Sequence, residues 1–316
     1  MRAMMLTPGN DYRLDDVPEP VPGPHEVAIR VAYAGVQWGD VLVRQGHFPV
    51  PRPFIPGFEA AGHIVAVGDG VDRARIGEPV VALTGSGAFA EVVVAPSILA
   101  LAIGTLPVRT AGGFGWIAPT AYDLIHTVAR VQPGESVLVH AAAGGVGTLA
   151  AQLARIAGAR RIVGVVGDAA QASHAVLFGY TAVITRAEFP AALGDERFDV
   201  ILDPIGGAAR EASLARLAPH GRQIVYGNIA TFEPVRVSVN DLLGAGASLL
   251  TYNSHLLSKT HPERVAASAQ RALDLVARAE LVIEISAEYE LAALEDAVQR
   301  LASGKTHGKS IVRIAP

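Results

Sequence analysis

The pattern of apolar positions changes character about a third of the way along the chain. Before residue 110, short apolar-rich runs alternate with clusters of Gly and Pro. Residues 2–6, 12–17, 26–34, 59–67, 79–83 and 89–94 each read as a strand, with turns at 18–24, 49–56 and 68–70. Closely spaced strands with few helices predict a barrel or sandwich. From residue 118 onward, helical periodicity alternates with nearly continuous apolar runs. Helices are expected over 118–131, 146–157, 169–178 and near 208–217, and strands over 136–140, 161–166, 182–185, 198–202, 223–226 and 248–252. Such alternation describes a parallel sheet covered on both faces. A helix over 263–279 follows, then strands at 282–286 and 310–314 flanking a helix at 291–302. The return of strand texture predicts that the first domain is discontinuous and closed by the C-terminal residues.

Composition narrows the function classes. The 316 residues leave room for two domains, half of them are hydrophobic, and 18% are charged against about 25% in ordinary globular domains. A disordered chain is excluded. Lys+Arg 26 against Asp+Glu 30 gives a net charge of −4 with no single-sign run, which argues against nucleic acid as a partner. There is no cysteine, so disulfides, thiolate nucleophiles and cysteine-rich zinc sites are excluded, and a reducing cytoplasm fits. The start of the chain lacks the apolar core of a signal peptide. The longest uncharged stretch, 92–108, is broken by Pro96, Ser97, Thr105 and Pro107, so no membrane span and a soluble protein are expected.

The strongest local signal follows the strand at 136–140. Ala141-Ala142-Ala143-Gly144-Gly145-Val146-Gly147 places Ala142, Gly144 and Gly147 at the three positions of G-x-G-x-x-G, between a strand and a helix. Small residues there allow a tight turn and close approach of backbone N–H groups to a pyrophosphate, which also meets the positive end of the helix. A turn that only packs a helix on a strand uses the same residues. The alternation downstream favours the nucleotide.

Further motifs accompany the loop: Pro56-Gly57-Phe58-Glu59-Ala60-Ala61-Gly62, Thr120-Ala121-Tyr122, Val131-Gln132-Pro133-Gly134, Asp203-Pro204-Ile205-Gly206-Gly207, the run from Gly221 to Gly227, and Gly308-Lys309. Together and in this order they resemble the zinc-independent medium-chain dehydrogenase/reductases, and most closely the quinone oxidoreductases. The resemblance implies an α/β chain with a GroES-like β-barrel domain from 1–118 and 259–316 and a Rossmann domain, a doubly wound parallel sheet, from 119–258. It further implies a cofactor in the cleft between them and hydride transfer from NADPH to a quinone or an α,β-unsaturated carbonyl compound. Ala142, Gly144, Gly145, Val146 and Gly147 would hold the pyrophosphate. Gly227 and Asn228 would approach the nicotinamide, and Gln37, Asp40 and Thr120 would border the substrate as catalytic residues. The family also pairs the edge strand at 249–252 across a two-fold axis, which implies a homodimer.

The departures from the family pattern carry information of their own. Its Gly-His-Glu stands here as Gly57-Phe58-Glu59, and with no cysteine the expectation is no metal. His63 and His140 lie on strands and read as packed residues rather than ligands. Asp168 stands where a ribose-binding acid is often found, yet Asp168-Ala169-Ala170-Gln171 also fits a helix cap with Gln at N3, which is the preferred reading. The lysine that typically meets the 2′-phosphate is matched by Gln171, which leaves NADH open beside NADPH. Arg186 falls where the family often has a phosphate-contacting tyrosine and offers a planar donor fork; the alternative is a solvated loop arginine. The family's Gly-Val-Asn is Gly35-Val36-Gln37, with Asp40 retained. Enoyl reductases carry a proton-donating tyrosine where this chain has Phe48. Trp38, Phe48 and Phe54 either line an aromatic mouth for a flat substrate or fill the barrel core. Two rival functions follow: a biosynthetic enoyl reductase or tailoring enzyme with a larger, carrier-bound substrate, and a redox-silent NADP(H)-binding protein.

Overall fold

In a computed structural model that describes residues 1–314, the chain divides into two units. One comprises Met1–Pro119, Leu257–Gly304 and the residues from Gly308 onward; the other comprises Thr120–Leu256 and Lys305–His307. Ala315 and Pro316, the end of the expected stretch 259–316, lie outside the described residues.

The first unit opens with an antiparallel pair, β1 (Arg2–Leu6) and β2 (Tyr12–Asp16). The long β3 (Glu26–Val36) follows, then β4 (Glu59–Val67), β5 (Pro79–Leu83), β6 (Val92–Pro96) and β7 (Ala100–Ala102). The second unit contributes β8 (Ser136–His140), β9 (Arg161–Val166), β10 (Ala182–Thr185), β11 (Phe198–Asp203), β12 (Leu217–Val225) and β13 (Ser248–Thr251). The chain then returns to the first unit as β14 (Ile285–Glu290) and β15 (Lys309–Arg313).

The barrel unit is a GroES-like fold around a seven-stranded sheet, ordered β14-β15-β3-β4-β5-β7 with β6 also on β3. Strand β3 is its spine because it pairs with β4, β6 and β15. Its apolar residues Val27, Ile29 and Val31 enter a buried cluster with Ile64, Val80 and Phe89. Each such side chain contributes about 1.5–3 kcal/mol through burial. The helix Leu294–Ala302 closes this core with Leu294, Ala297 and Val298, the i, i+3, i+4 stripe of an amphipathic helix. The register β15 to β3, Ser310 opposite Val36 and Val312 opposite Ala34, is what carries Lys309 into the unit's interior.

The Rossmann unit is a six-stranded parallel sheet in the order β10-β9-β8-β11-β12-β13. The order reverses direction between β9-β8 and β8-β11, and a crevice for a ligand opens at the carboxyl ends of strands at such a switch point. Strand β8 is buried along its whole length, as a central strand covered on both faces requires.

The structure departs from the sequence-based expectations where local chemistry competes with pattern. Residues 38–45, to which the sequence pattern assigns no element, form a helix beginning after Gln37. Phe89 and Ala90 lie before β6 because they engage β1: the Met4 N–H donates to the Phe89 carbonyl at 2.8 Å and Ala90 bridges Ala3. The helix expected over 118–131 is a helix at Ile117–Tyr122 that widens into a π-helical turn at Asp123–Val128. There the buried Asp123 accepts from Thr127 Oγ1 at 2.8 Å and from Tyr252 Oη at 2.7 Å. Strand β12 starts at Leu217 rather than 223, running through Pro219, His220 and Gly221, and β14 starts three residues later than expected. Short helices at Val239–Ala245 and Ser254–Thr260 carry no prior signal. No helix among the described residues is long and apolar enough to cross a membrane.

Candidate functional site

In the Rossmann unit the glycine loop connects β8 to the helix Gly145–Ile156 beside the switch point. The Gly144 N–H closes a turn on the Ala141 carbonyl at 3.0 Å, and the Ala142 N–H is spent on Val165 of β9, also at 3.0 Å. Ala142 is fully buried, so its place in the motif is one of packing. Gly147 sits so close that a Cβ there would lie 2.5 Å from the Ala141 oxygen, and a Cβ at Gly164 would lie 2.8 Å from that of Ala142. Only small residues let helix, loop and strand meet this closely. Gly144, Gly145 and Val146 remain half-buried. The helix they open has no side-chain cap, which leaves its first N–H groups and the positive end of its dipole for an anion. The residues present therefore fit the pyrophosphate of a dinucleotide.

The neighbouring strand ends complete the crevice. After β9, Asp168 caps the helix Ala169–Ala175, its Oδ1 accepting from the Gln171 N–H at 2.9 Å. The buried Gln171 accepts from the Gly167 N–H at 2.8 Å and donates to the Thr306 carbonyl at 2.6 Å. The capping reading is thus what the structure shows, with the glutamine reaching one residue beyond the cap itself. After β10, Arg186 is exposed, its backbone N–H tied to Val166 at 2.7 Å, and its Nη2 lies 3.4 Å from where a Cβ on Gly167 would stand. Beyond β11 and β12, the fully buried Asp203 accepts from Arg210 Nε at 2.6 Å. Arg210 in turn donates to the Gly227 carbonyl at 2.8 Å and to Asn228 Oδ1 at 3.1 Å. This one guanidinium holds the segment expected at the nicotinamide end. His140 is buried at the end of β8, 2.8 Å from Ser213 Oγ, and burial pushes its imidazole down to about 4. It is a packed, neutral histidine. Thr120, the first residue of this unit, is buried in the helix Ile117–Tyr122.

The barrel unit holds a second concentration of polar groups. Glu59 at the head of β4 is 1% exposed, and its Oε1 is paired with the buried Lys309 ammonium of β15. Its Oε2 accepts from the Trp116 N–H, and the Trp116 indole donates to the Phe58 carbonyl at 2.8 Å. The carboxylate fits because two flanking residues lack side chains: a Cβ on Gly35 or on Gly115 would run into it. Asp40 is fully buried, and its Oδ2 accepts from the Gln37 N–H at 2.9 Å, while Oδ1 has no hydrogen-bond partner. Burial first, then the nearby Glu59 charge, push its carboxyl up to about 7 against the backbone at Gln37 and Gly57 and the Lys309 charge. Gln37 and Trp38 are half-buried, and Trp38 packs on the main barrel core. Phe54 is half-buried and packs on a smaller cluster with Leu6 and Phe58, whereas Phe48 is 43% exposed. Trp38 and Phe54 thus share in core packing and Phe48 does not.

Comparison with known proteins decides the family. Residues 23–105 match the alcohol dehydrogenase GroES-like domain, and 145–276 match the zinc-binding dehydrogenase domain. A mycobacterial protein complexed with NADPH superposes with a TM-score of 0.90 at 30% identity, covering 99% of each chain. The chain belongs to the medium-chain dehydrogenase/reductases, in the quinone oxidoreductase-like group. The quinone oxidoreductase of Escherichia coli complexed with NADPH superposes at 0.87 with 25% identity, over 99% of this chain and 98% of that one. A probable quinone oxidoreductase of Schizosaccharomyces pombe is 33% identical over 66% of this chain and 65% of its own length. The human synaptic vesicle membrane protein VAT-1 homolog is 33% identical over 72% of this chain, and the match spans 61% of that protein. Within this oxidoreductase family, the zinc-binding name of the second domain meets a chain without cysteine.

Sequence reasoning passed over four residues that hold the site in shape. Tyr180 donates its hydroxyl to the Gly147 carbonyl at 2.8 Å from the entry to β10, a contact that no local motif announces. Arg210 stands seven residues after Asp203, a spacing that only the fold turns into an ion pair. Glu59 and Lys309 were each part of a quoted motif, yet 250 residues separate them.

The buried Asp40 yields a testable expectation for stability. An unfolded aspartate ionises near pH 4, whereas the folded one keeps its proton to about 7. Between these values the folded state binds more protons, so this group makes stability fall as pH rises, by of order 1 kcal/mol per pH unit, and level off above neutrality. Urea unfolding of the wild type and Asp40→Asn at several pH values between 4.5 and 8.5 isolates the contribution. The wild type should lose stability relative to the variant up to about pH 7; a constant difference across the range would show that Asp40 does not titrate in this way.

Proposed function

We propose that this chain is an NADPH-preferring, zinc-free oxidoreductase that reduces a quinone. The reading is carried by one observation: the uncapped helix N-terminus behind the Gly144–Gly147 loop, at the switch point of a parallel sheet whose structural relatives include NADPH complexes. NADPH supplies the hydride, and the protein supplies binding and orientation. Gly144, Gly145, Val146 and Gly147, with Ala142 packed beneath them, hold the pyrophosphate. Arg186, exposed beside Gly167, meets the 2′-phosphate. Gly227 and Asn228, held by Arg210, receive the nicotinamide end. Gln37, Asp40 and Trp38 of the barrel unit and Thr120 of the Rossmann unit serve the acceptor side, with Phe48 and Phe54 as apolar surface for a flat ring. Domain limits of 1–118 with 259–316, and 119–258, assign acceptor and cofactor roles to the two units. The quinone takes a hydride from the cofactor and one proton from solvent and leaves as hydroquinone, so no side-chain acid is required.

The protein acts in the cytoplasm as a homodimer in this reading. Strand β13 is the outer strand of the Rossmann sheet and its Leu249 and Leu250 are only half-buried, so pairing with a second copy would satisfy the free edge. Light scattering at micromolar concentration should give twice the chain mass of 32.9 kDa, and a monomer at that concentration refutes the pairing.

Cofactor preference rests on Arg186. Replacing it with Ala should weaken NADPH by about 1.5–3 kcal/mol, the worth of a charge-assisted hydrogen bond, and leave NADH nearly unchanged. Fluorescence titration with both cofactors measures this, and equal losses would make the arginine structural.

Acceptor preference rests on Phe48, which has no proton to give. An enone must be protonated at carbon, a step for which a placed acid is worth about 10²–10⁴-fold. Simple quinones should therefore turn over well and unactivated enones poorly, and Phe48→Tyr should raise the enone rate while sparing quinones. Native turnover of enones as fast as quinones would sink this assignment, and an absence of any NADPH oxidation by quinones would favour the redox-silent alternative.

A further inference from the structure

The barrel interior confines two carboxylates, Asp40 and Glu59, with one ammonium, Lys309, all at most 3% exposed. Glu59 has a donor on each oxygen. Asp40 has one, the Gln37 N–H on Oδ2, and this bond is the half of a capping box that ties the first turn of the helix Trp38–Gln45 to the residue before it. Three of the four unpartnered buried side-chain polar atoms among the described residues belong to this neighbourhood: Asp40 Oδ1, Trp38 Nε1 and Tyr12 Oη. One ammonium cannot neutralise two buried carboxylates, and the excess negative charge falls on the carboxylate with the fewest donors.

We propose that Asp40 is a positioning residue that sets the turn Gln37–Trp38 through the Gln37 N–H, and that a proton exchanged at Asp40 makes the acceptor side of the enzyme respond to pH. The functional half of this inference rests on the quinone reductase reading; the conformational half stands without it.

The groups that face Asp40 can be named element by element. Glu59 on β4 opposes its ionisation and Lys309 on β15 favours it. Tyr12 on β2 faces it as well; burial, then Asp40 itself, hold this phenol protonated far above its ordinary range. Around Tyr12 stand Arg44, Arg52 and Glu295. Arg44 and Glu295 pair with each other at 3.1 Å, and Arg52 donates to Asn10 Oδ1 at 2.7 Å and to the Val43 carbonyl at 3.2 Å. These outer charges are satisfied among themselves. Burial first, then the Gln37 backbone and the opposed charges of Glu59 and Lys309, therefore set the Asp40 proton. When the proton leaves, the new charge on Asp40 draws harder on the Gln37 N–H, and Trp38 moves with that turn.

The chain offers its own reporter, because Trp38 and Trp116 are its only tryptophans and both lie in this region. Intrinsic emission of the full-length protein should titrate between about pH 6 and 8. Asp40→Asn, which keeps an acceptor for Gln37, should abolish that titration, and Trp38→Phe should remove its amplitude. In steady-state assays with 1,4-benzoquinone, KM should change by about threefold or more over the same range while kcat stays nearly level, and Asp40→Asn should flatten the KM profile. Emission that stays constant in the wild type, or a titration that persists in Asp40→Asn, overturns the proposal. So does a variant that lowers thermal stability and activity at every pH without changing either profile, since that is what a purely structural residue does. An Asp40-dependent emission change in a protein that does not reduce benzoquinone supports the coupling and rejects the quinone reading instead.

Discussion

The carboxylate of Glu59 is enclosed by backbone on two sides and by Lys309 on a third, and a charge in such a place is stable only while each oxygen keeps its donor. That condition links distant parts of the chain. Gly35 at the end of β3, Gly115 before the helix at 117, Trp116 by its N–H and Lys309 at the start of β15 are all fixed by one side chain. Losing one partner leaves a buried charge uncompensated, an effect of about 3–5 kcal/mol in comparable pairs, which is a large part of a domain's total stability. The C-terminal strand is thereby fastened to β3, β4, β5 and β7, sheet members that lie more than 200 residues earlier. A barrel assembled from both ends of a chain needs such a fastening, because the strand that arrives last has the most freedom to lose.

The same condition reaches the turn proposed to serve the acceptor. Gly35, Val36, Gln37 and Trp38 are consecutive, so the close fit of Glu59 against Gly35 and the bond from Gln37 to Asp40 act on one short run of backbone. In the Rossmann unit the corresponding role falls to Asp203 and Arg210, which join the ends of β11 and β12. Both units thus place a buried acid behind an exposed or half-exposed loop and use paired charge to fix the loop's position.

Much of the fold was legible because period and punctuation agreed. Strands β4, β5, β8, β9 and β10 have the expected limits, each an apolar run bounded by Gly, Pro or polar turn residues. The glycine loop was legible because its chemistry is local, with every constraint falling within a dozen residues. The helix Trp38–Gln45 was not, since its cap is Gln37 rather than a short polar side chain and it is only eight residues long. The early start of β12 was hidden by Pro219 and Gly221, which read as a turn but lie within a strand whose irregular pairing with β11 accommodates them. The displaced start of β14 has a different cause. The apolar run at 281–283 reads as strand, yet the paired segment alternates half-buried and exposed residues along an outer strand, a weaker signal. The pairs Glu59–Lys309 and Asp203–Arg210 and the Tyr180 contact depend on tertiary proximity, which spacing along the chain does not encode.

The Tyr180 hydroxyl has a thermodynamic meaning beyond its geometry. It reaches the Gly147 carbonyl from another part of the sheet and, with Gly164 pressed against Ala142, holds the loop after β8 in its turn. A loop already fixed in shape has little disorder left to surrender when a ligand arrives, so more of the interaction energy appears as affinity. The rigidity of this corner also localises adaptation. Any movement that accompanies binding must fall on segments with fewer tethers, and the recognition of the phosphates becomes a matter of fit to a finished surface rather than of assembly around the guest.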